Sequence, residues 1–363
     1  MGTRLVLRLA QGEALGSIGH VGPLPLHSPQ QGKKADQMKF GLFGGAIRRG
    51  ETADSASYNE FMDYVIEADR LGFESVMIVE HHFSGIGQVG ASLNMLTYLA
   101  AKTERIRLGT AVTVLPWHNP VLLAEQATTL DLLSNGRFDF GVGKGYRDIE
   151  FKGFCIPKDE AQERYDECLA VMRKAWTETK RWSHHGKYWD FEDIVVEPGP
   201  TQLPHPPLWT GAGTMESIAR VAGTGFNLLL DQYGSFELTG KRVAAFKDAC
   251  AASGRPYKPH EVGLTRPVVV TTSPEQTKQA IEARIKRSGA MEQFGKLPGL
   301  SEDHGDGAII GEPHEVIAKL KQLQAMGVEY VMMTAAGGLD AIRLFAREVM
   351  PEFQSDSARR AAE

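Results

Sequence analysis

From Met38 onward, eight short apolar runs alternate with stretches of helical period. The runs are Lys39–Phe43, Ser75–Glu80, Ile106–Val114, Phe138–Gly143, Leu208–Gly211, Phe226–Leu230, Val262–Thr271 and Val328–Thr334. Strands that alternate with helices belong to a parallel sheet, because parallel neighbours need a long crossover between them. Eight such units are the number that closes into a barrel, and the expected fold is an (α/β)8 TIM barrel. The helical stretches each carry one apolar face, such as Tyr165, Cys168, Leu169, Met172 and Trp176, or Val316, Ile317, Leu320, Leu323 and Met326. The second of these opens at Glu312-Pro313 and stops at Gly327. We assign these faces to packing rather than to ligand contact.

Two stretches exceed the minimal repeat. Residues 182–207, with Gly186-Lys187-Tyr188-Trp189 and several prolines, read as a hairpin-like excursion after helix 4. Gln293 to Gly311, after strand 7 and its helix, is rich in Gly, Pro and acidic residues and reads as a lid or a disordered loop. Residues 1–37 have the composition of a disordered extension, 38–354 hold the barrel, and 355–363 form a tail.

Composition narrows the partners. A net charge of -5 over 363 residues gives no global attraction to nucleic acid or to an anionic membrane, so any anion site must be local. Arg8 interrupts the only apolar patch near the amino end, and no run approaches a membrane span, which suits a cytoplasmic protein. Cys155, Cys168 and Cys250 are odd in number and widely spaced, so neither a disulfide framework nor a metal centre is expected.

In a parallel barrel the reactive groups stand at the carboxyl ends of the strands. The second run ends in Glu80-His81-His82-Phe83. Three polar residues behind an apolar strand are costly unless they are paired or used. A histidine there can act as general base or hydrogen-bond an oxygen-derived group, with Glu80 fixing its tautomer; a satisfied Glu–His pair is the simpler reading. Adjacent strand residues point to opposite faces, so at most one of His81 and His82 faces the pocket unless the strand has already ended. The third run leads to Trp117 and His118 near the pocket mouth, and its small residues Gly109-Thr110-Ala111 suit either barrel packing or close approach of a planar ring.

The fourth run ends in Gly141-Val142-Gly143-Lys144-Gly145-Tyr146-Arg147. This is neither a Rossmann fingerprint, which Tyr146 breaks, nor a P-loop, which needs Ser or Thr after the lysine. A short glycine loop remains, with Lys144 and Arg147 available to a phosphate or simply solvated. The fifth run leads to Gly211-Ala212-Gly213-Thr214 at a helix start, an ordinary N-cap or a phosphate cradle. Adjacent strands bring the two loops toward one anion.

Taken in order, Glu80-His81-His82-Phe83, Leu108 to Pro116, Ala124-Glu125-Gln126, Leu130 to Arg137 and Gly141 to Gly145 resemble the bacterial luciferase-like flavin monooxygenases. Gly311-Glu312-Pro313 and Val349-Met350-Pro351 extend the resemblance from Met38 to Pro351. The resemblance implies a barrel that binds reduced FMN delivered by a separate flavin reductase, with a cis peptide at Ala111–Val112 beneath the flavin ring. It implies phosphate contacts from Lys144 and Thr214, with neighbouring contacts from Gly143, Gly145, Tyr146, Gly211, Ala212 and Gly213. His81 is expected near the reactive face, oriented by Glu80 or His82. The implied chemistry is reaction of reduced FMN with O2 to a C4a-peroxide that oxygenates a small organic, carbonyl-bearing substrate. Family alternatives are hydride transfer with F420 and a non-catalytic flavin-binding subunit. Members commonly dimerise through barrel helices. Luciferase catalytic subunits carry a cysteine at the position of Gly143 and an acid at that of Thr210, so a dark monooxygenase is expected.

Overall fold

The computed structural model describes residues 37–47, 53–85, 89–291, 307–334 and 337–354. The expectations for residues 1–36 and 355–363, and for the lid segment as far as residue 306, lie outside the described residues.

Eight parallel strands form a closed ring: β1 (Lys39–Gly44), β2 (Ser75–Ile78), β3 (Arg107–Thr110), β4 (Phe138–Gly143), β5 (Leu208–Gly211), β6 (Asn227–Leu230), β7 (Val262–Val270) and β8 (Tyr330–Thr334). Each pairs with its neighbours in chain order, and β8 pairs with both β7 and β1, with Lys39 opposite Tyr330. The fold is therefore an (α/β)8 TIM barrel, as the eight runs predict. Among the described residues ten α-helices accompany the strands: α1 (Asp54–Leu71), α2 (Ser92–Ala100), α3 (Pro120–Leu133), α4 (Asp148–Gly153), α5 (Ala161–Thr177), α6 (Met215–Thr224), α7 (Phe236–Ala252), α8 (Pro274–Met291), α9 (Pro313–Ala325) and α10 (Leu339–Glu348). The excursion expected after the fourth barrel helix follows α5 and is a two-stranded antiparallel hairpin, Trp182–His185 with Asp190–Ile194, and its turn is held by Glu167, which accepts from the backbone N–H groups of Lys187, Tyr188 and Trp189. Ile309–Gly311 adds a short strand beside the end of β7.

Strand residues alternate between two layers. Phe138, Phe140 and Val142 on β4, with Leu228 and Leu230 on β6, pack outward against the helices in the main apolar core. Fully burying a side chain of this size contributes about 1.5–3 kcal/mol. Met77, Trp209, Leu229, Tyr330 and Met332 point inward and fill the lumen. Glycines interleave with them: a Cβ added at Gly109 would lie 2.1 Å from Met77 Sδ, one at Gly263 2.5 Å from Met332 Cε, and one at Gly141 1.9 Å from the Thr110 carbonyl oxygen. Small and large side chains thus share each lumen layer.

Polar residues fasten the helices to the ring. Asp69, near the end of α1, accepts from the backbone N–H groups of Glu104, Arg105 and Ile106 and so anchors the entry to β3. Asn119 caps α3 by accepting from the N–H groups of Val121 and Leu122, and Pro120 takes the first helical position, where its missing N–H costs nothing. Helix α9 starts at a Glu312–Glu315 capping box with Pro313 at the first position, and Gly327 follows it at φ +89°.

Several strand bounds differ from expectation by a residue or two, and the differences in the second and third runs bear on the site. β2 ends at Ile78 rather than Glu80, because the chain leaves the sheet and His81 N–H turns to the Val89 carbonyl. The third run is divided into Arg107–Thr110 and Thr113–Val114 at the Ala111–Val112 bond, which is cis as expected.

Candidate functional site

Because β2 ends at Ile78, Glu80, His81 and His82 lie on the loop beyond it, and the two histidines turn to different partners. Glu80 is 3% exposed, yet its Oε1 receives three donors: Trp117 Nε1 at 2.9 Å, His82 Nε2 at 3.1 Å and His118 Nε2 at 3.1 Å. Burial alone would raise the Glu80 carboxyl, but the hydrogen bonds from His118, His82 and Trp117 outweigh it and pull it down to about 2. Around this hub the rings form an aromatic box, with Trp117 stacked on Phe154 at 5.0 Å and 18°, and the His82 ring edge-on to Phe154 at 4.7 Å.

His81 bonds to a different carboxylate. Its Nδ1 lies 3.1 Å from Oε1 of Glu150 on α4, and the same oxygen accepts the His82 backbone N–H at 3.0 Å. Glu150 is 1% exposed. This corrects the expectation that Glu80 or His82 orients His81: the partners of Glu80 are Trp117, His82 and His118, and the His82 ring is turned to Glu80. Glu150 carries little signal in the sequence. An acid in the first turn of a helix is ordinarily accounted for by the helix dipole, and the one local hint is its spacing of three from Arg147.

Arg147 is also corrected. It is buried, its Nη1 is 4.0 Å from Glu150 Oε1, and its Nε donates to the Tyr146 hydroxyl at 3.3 Å, so it faces inward rather than toward a phosphate at the surface. Lys144 is exposed and forms no ion pair among the described residues. Tyr146 is 46% exposed beside it.

The register of β4 with β5, Gly141 opposite Trp209, sets the Lys144 loop beside Gly211, Ala212, Gly213 and Thr214 at the same end of the barrel. Thr214 is the N-cap of α6 in a reciprocal box with Ser217, the simpler of the two readings of that residue, and it stands exposed. Next to these loops, Ala111 and Val112 pack on the lumen cluster together with Phe43. Gly143 leaves Val112 room, since a Cβ there would lie 2.5 Å from Val112 Cγ2. The indole N–H of Trp209, 4% exposed in that cluster, has no partner among the described residues. An apolar floor, a spare buried donor and an uncommitted surface cation suit a planar ring that carries polar edges and an anionic tail.

The family model for luciferase-like monooxygenases matches residues 38–330. The chain belongs to that family. Among its relatives, the oxygenase component of the flavin-dependent trigonelline monooxygenase of Acinetobacter baylyi is 26% identical over 359 residues, covering 89% of this chain and 98% of that protein. An uncharacterized protein of Sinorhizobium fredii is 32% identical over 231 residues, covering 63% of this chain, and the match spans only 66% of that protein's length. The crystal structure of the monooxygenase RslO1 from Streptomyces bottropensis superposes with a TM-score of 0.76 at 24% identity, over 87% of this chain and all of that one. Within this luciferase-like fold, no helix among the described residues is long and apolar enough to cross a membrane.

Proposed function

We propose that the chain is the oxygenase component of a flavin-dependent monooxygenase, using reduced FMN from a separate reductase and O2 to oxygenate a small organic, carbonyl-bearing substrate. The observation that carries this reading is the floor at Ala111–Val112, kept open by Gly143 and set beside the loop bearing His81. Ala111 and Val112 would support the ring, and Lys144, with the loop from Gly211 to Thr214, would hold the phosphate. The relative from Acinetobacter baylyi, described as a flavin-dependent oxygenase component, supports both the cofactor class and the separate reductase.

When bound and reduced, the flavin supplies activation of O2. The residues of the chain supply the rest. His81 moves or holds a proton at the reacting oxygen, and the Glu80 hub with its aromatic box fixes the loop and keeps water from it. A homodimer is part of the same proposal: Tyr98 on α2 and Leu122 and Leu133 on α3 are each more than half exposed and offer an apolar face. Sedimentation equilibrium should give twice the chain mass, and a monomer would remove this part.

Anaerobic titration with reduced FMN and, separately, with reduced F420 tests the cofactor. Binding of FMN with loss of affinity in Lys144→Ala is expected; preferential binding of F420 would replace the reading with hydride transfer. Under 18O2, a panel of aldehydes and ketones should yield a product carrying one labelled oxygen. Tight FMN binding with no labelled product from any carbonyl compound would point instead to a non-catalytic flavin-binding subunit.

A further inference from the structure

Adjacent histidines are held by two separate buried carboxylates, and the geometry distinguishes their protonation sites. The His82 backbone N–H can only donate, so Oε1 of Glu150, which receives it at 3.0 Å, is an acceptor. The Arg147 guanidinium at 4.0 Å gives that oxygen a cationic neighbour. His81 Nδ1, 3.1 Å from the same oxygen, must then be the protonated nitrogen. Among the described residues, His81 Nε2 has no hydrogen-bond partner, and the side chain is 16% exposed. In His82 the assignment is reversed, because Nε2 is the atom facing Glu80 Oε1. His118 follows His82, also through Nε2.

We propose that Glu150 is a positioning residue that holds His81 in the Nδ1–H tautomer and leaves Nε2, with its lone pair, as the nitrogen that takes a proton, while Glu80 holds His82 and His118 in the opposite tautomer. The consequence for turnover rests on the monooxygenase reading; the tautomers do not. The division also separates two tasks. Glu80 Oε1 takes Trp117, His82 and His118 and not His81, so Glu80 serves the shape of the loop. Glu150 ties the same loop to α4 while selecting the working nitrogen, and it does both through one oxygen.

The test uses the full chain labelled with 15N in histidine, with long-range 1H–15N correlations reporting which ring nitrogen is protonated and His81→Gln assigning the His81 signals. In the unliganded wild-type protein at neutral pH, the expected pattern is Nδ1–H for His81 and Nε2–H for His82 and His118. Glu150→Gln keeps the size of the side chain but can donate as well as accept, so His81 should become a tautomer mixture while His82 and His118 stay unchanged. Glu150→Asp should restore the Nδ1–H form in large part. Turnover under 18O2 should fall about 10²-fold in Glu150→Gln and recover partly in Glu150→Asp, the scale of one general base.

An Nε2–H tautomer for His81 in the wild type would overturn the proposal, as would a Glu150→Gln protein with an unchanged His81 signal. Redistribution of the tautomer without loss of turnover would support the assignment and remove His81 from the reaction. Absence of any monooxygenase activity in the wild type would overturn the functional reading and leave the tautomer result standing on its own measurement.

Discussion

Replacing Glu80 with glutamine keeps its shape and removes its charge, and this separates its electrostatic role from its packing. The carboxyl is held at about 2 against an ordinary 4.5, so over that interval the folded state binds fewer protons than the unfolded state. Stability from this group is complete above about pH 4.5 and is lost as the pH falls toward 2, an effect of roughly 3 kcal/mol. Urea midpoints measured at pH 6, 4.5 and 3 should therefore fall more steeply in the wild type than in Glu80→Gln. Parallel curves would place the ionised hub outside the stability of the fold. At Gly143 the expected effect is steric. Gly143→Ala sets a Cβ 2.5 Å from Val112 Cγ2, and a β-branched side chain has little room to turn away. A loss of about 1–3 kcal/mol is expected, together with weaker binding of reduced FMN, read by thermal melting and titration. If both stayed at wild-type values, Val112 would not be the wall of the site.

At the level of single elements, α3 shows how a local signal supports a distant group. Its cap, Asn119, follows directly on Trp117 and His118, which reach back to Glu80. Asn119→Ala should cost about 1 kcal/mol in global stability, as loss of an N-cap does, measured by denaturant unfolding. A change below 0.3 kcal/mol, or about that, would mean the N–H groups of Val121 and Leu122 find water instead. Such caps are readable from sequence because they depend on neighbours in the chain: Glu312-Pro313 and Gly327 stand where their residue types lead one to expect. Strand β4 is legible end to end for a similar reason, with its outward Phe138, Phe140 and Val142 and inward glycines. The link between His81 and Glu150 has no such local basis. It joins residues 69 positions apart, and an acid in the first turn of a six-residue helix carries no mark of burial until the Trp117, Phe151 and Phe154 rings close over that region. The same limit applies to Arg147, whose burial beside Glu150 the sequence does not reveal.

For the molecule as a whole, closure is the decisive property. β8 supplies the last two ladders, to β7 and to β1, so removing it exposes two strand edges at once. A chain ending at Gly327 should lose cooperative thermal unfolding by circular dichroism and become prone to association. Retained cooperativity would mean that the first seven strands form a stable open sheet. Closure also sets where function can reside. The carboxyl ends of β2, β3, β4 and β5 are brought together because those strands are neighbours in the ring, so groups from four separate stretches of sequence stand at one end of the barrel.

The interleaved lumen has a consequence for how this chain can diverge. Gly263 is confined by side chains alone, that of Met332 nearest, and Gly109 chiefly by the Met77 side chain, with the Asp139 carbonyl oxygen 3.1 Å from a Cβ there. Each glycine can therefore gain a methyl group if its methionine gives up volume and, at 109, the backbone yields a few tenths of an ångström. Gly141 is confined by the Thr110 carbonyl, a group present whatever residue stands at 110, and no exchange of side chains can free it. Descendants of this sequence should therefore trade bulk in pairs at the first two positions and keep glycine at the third. Saturation libraries at 77 with 109, at 332 with 263, and at 141 alone would show which positions are negotiable and which is set by the backbone.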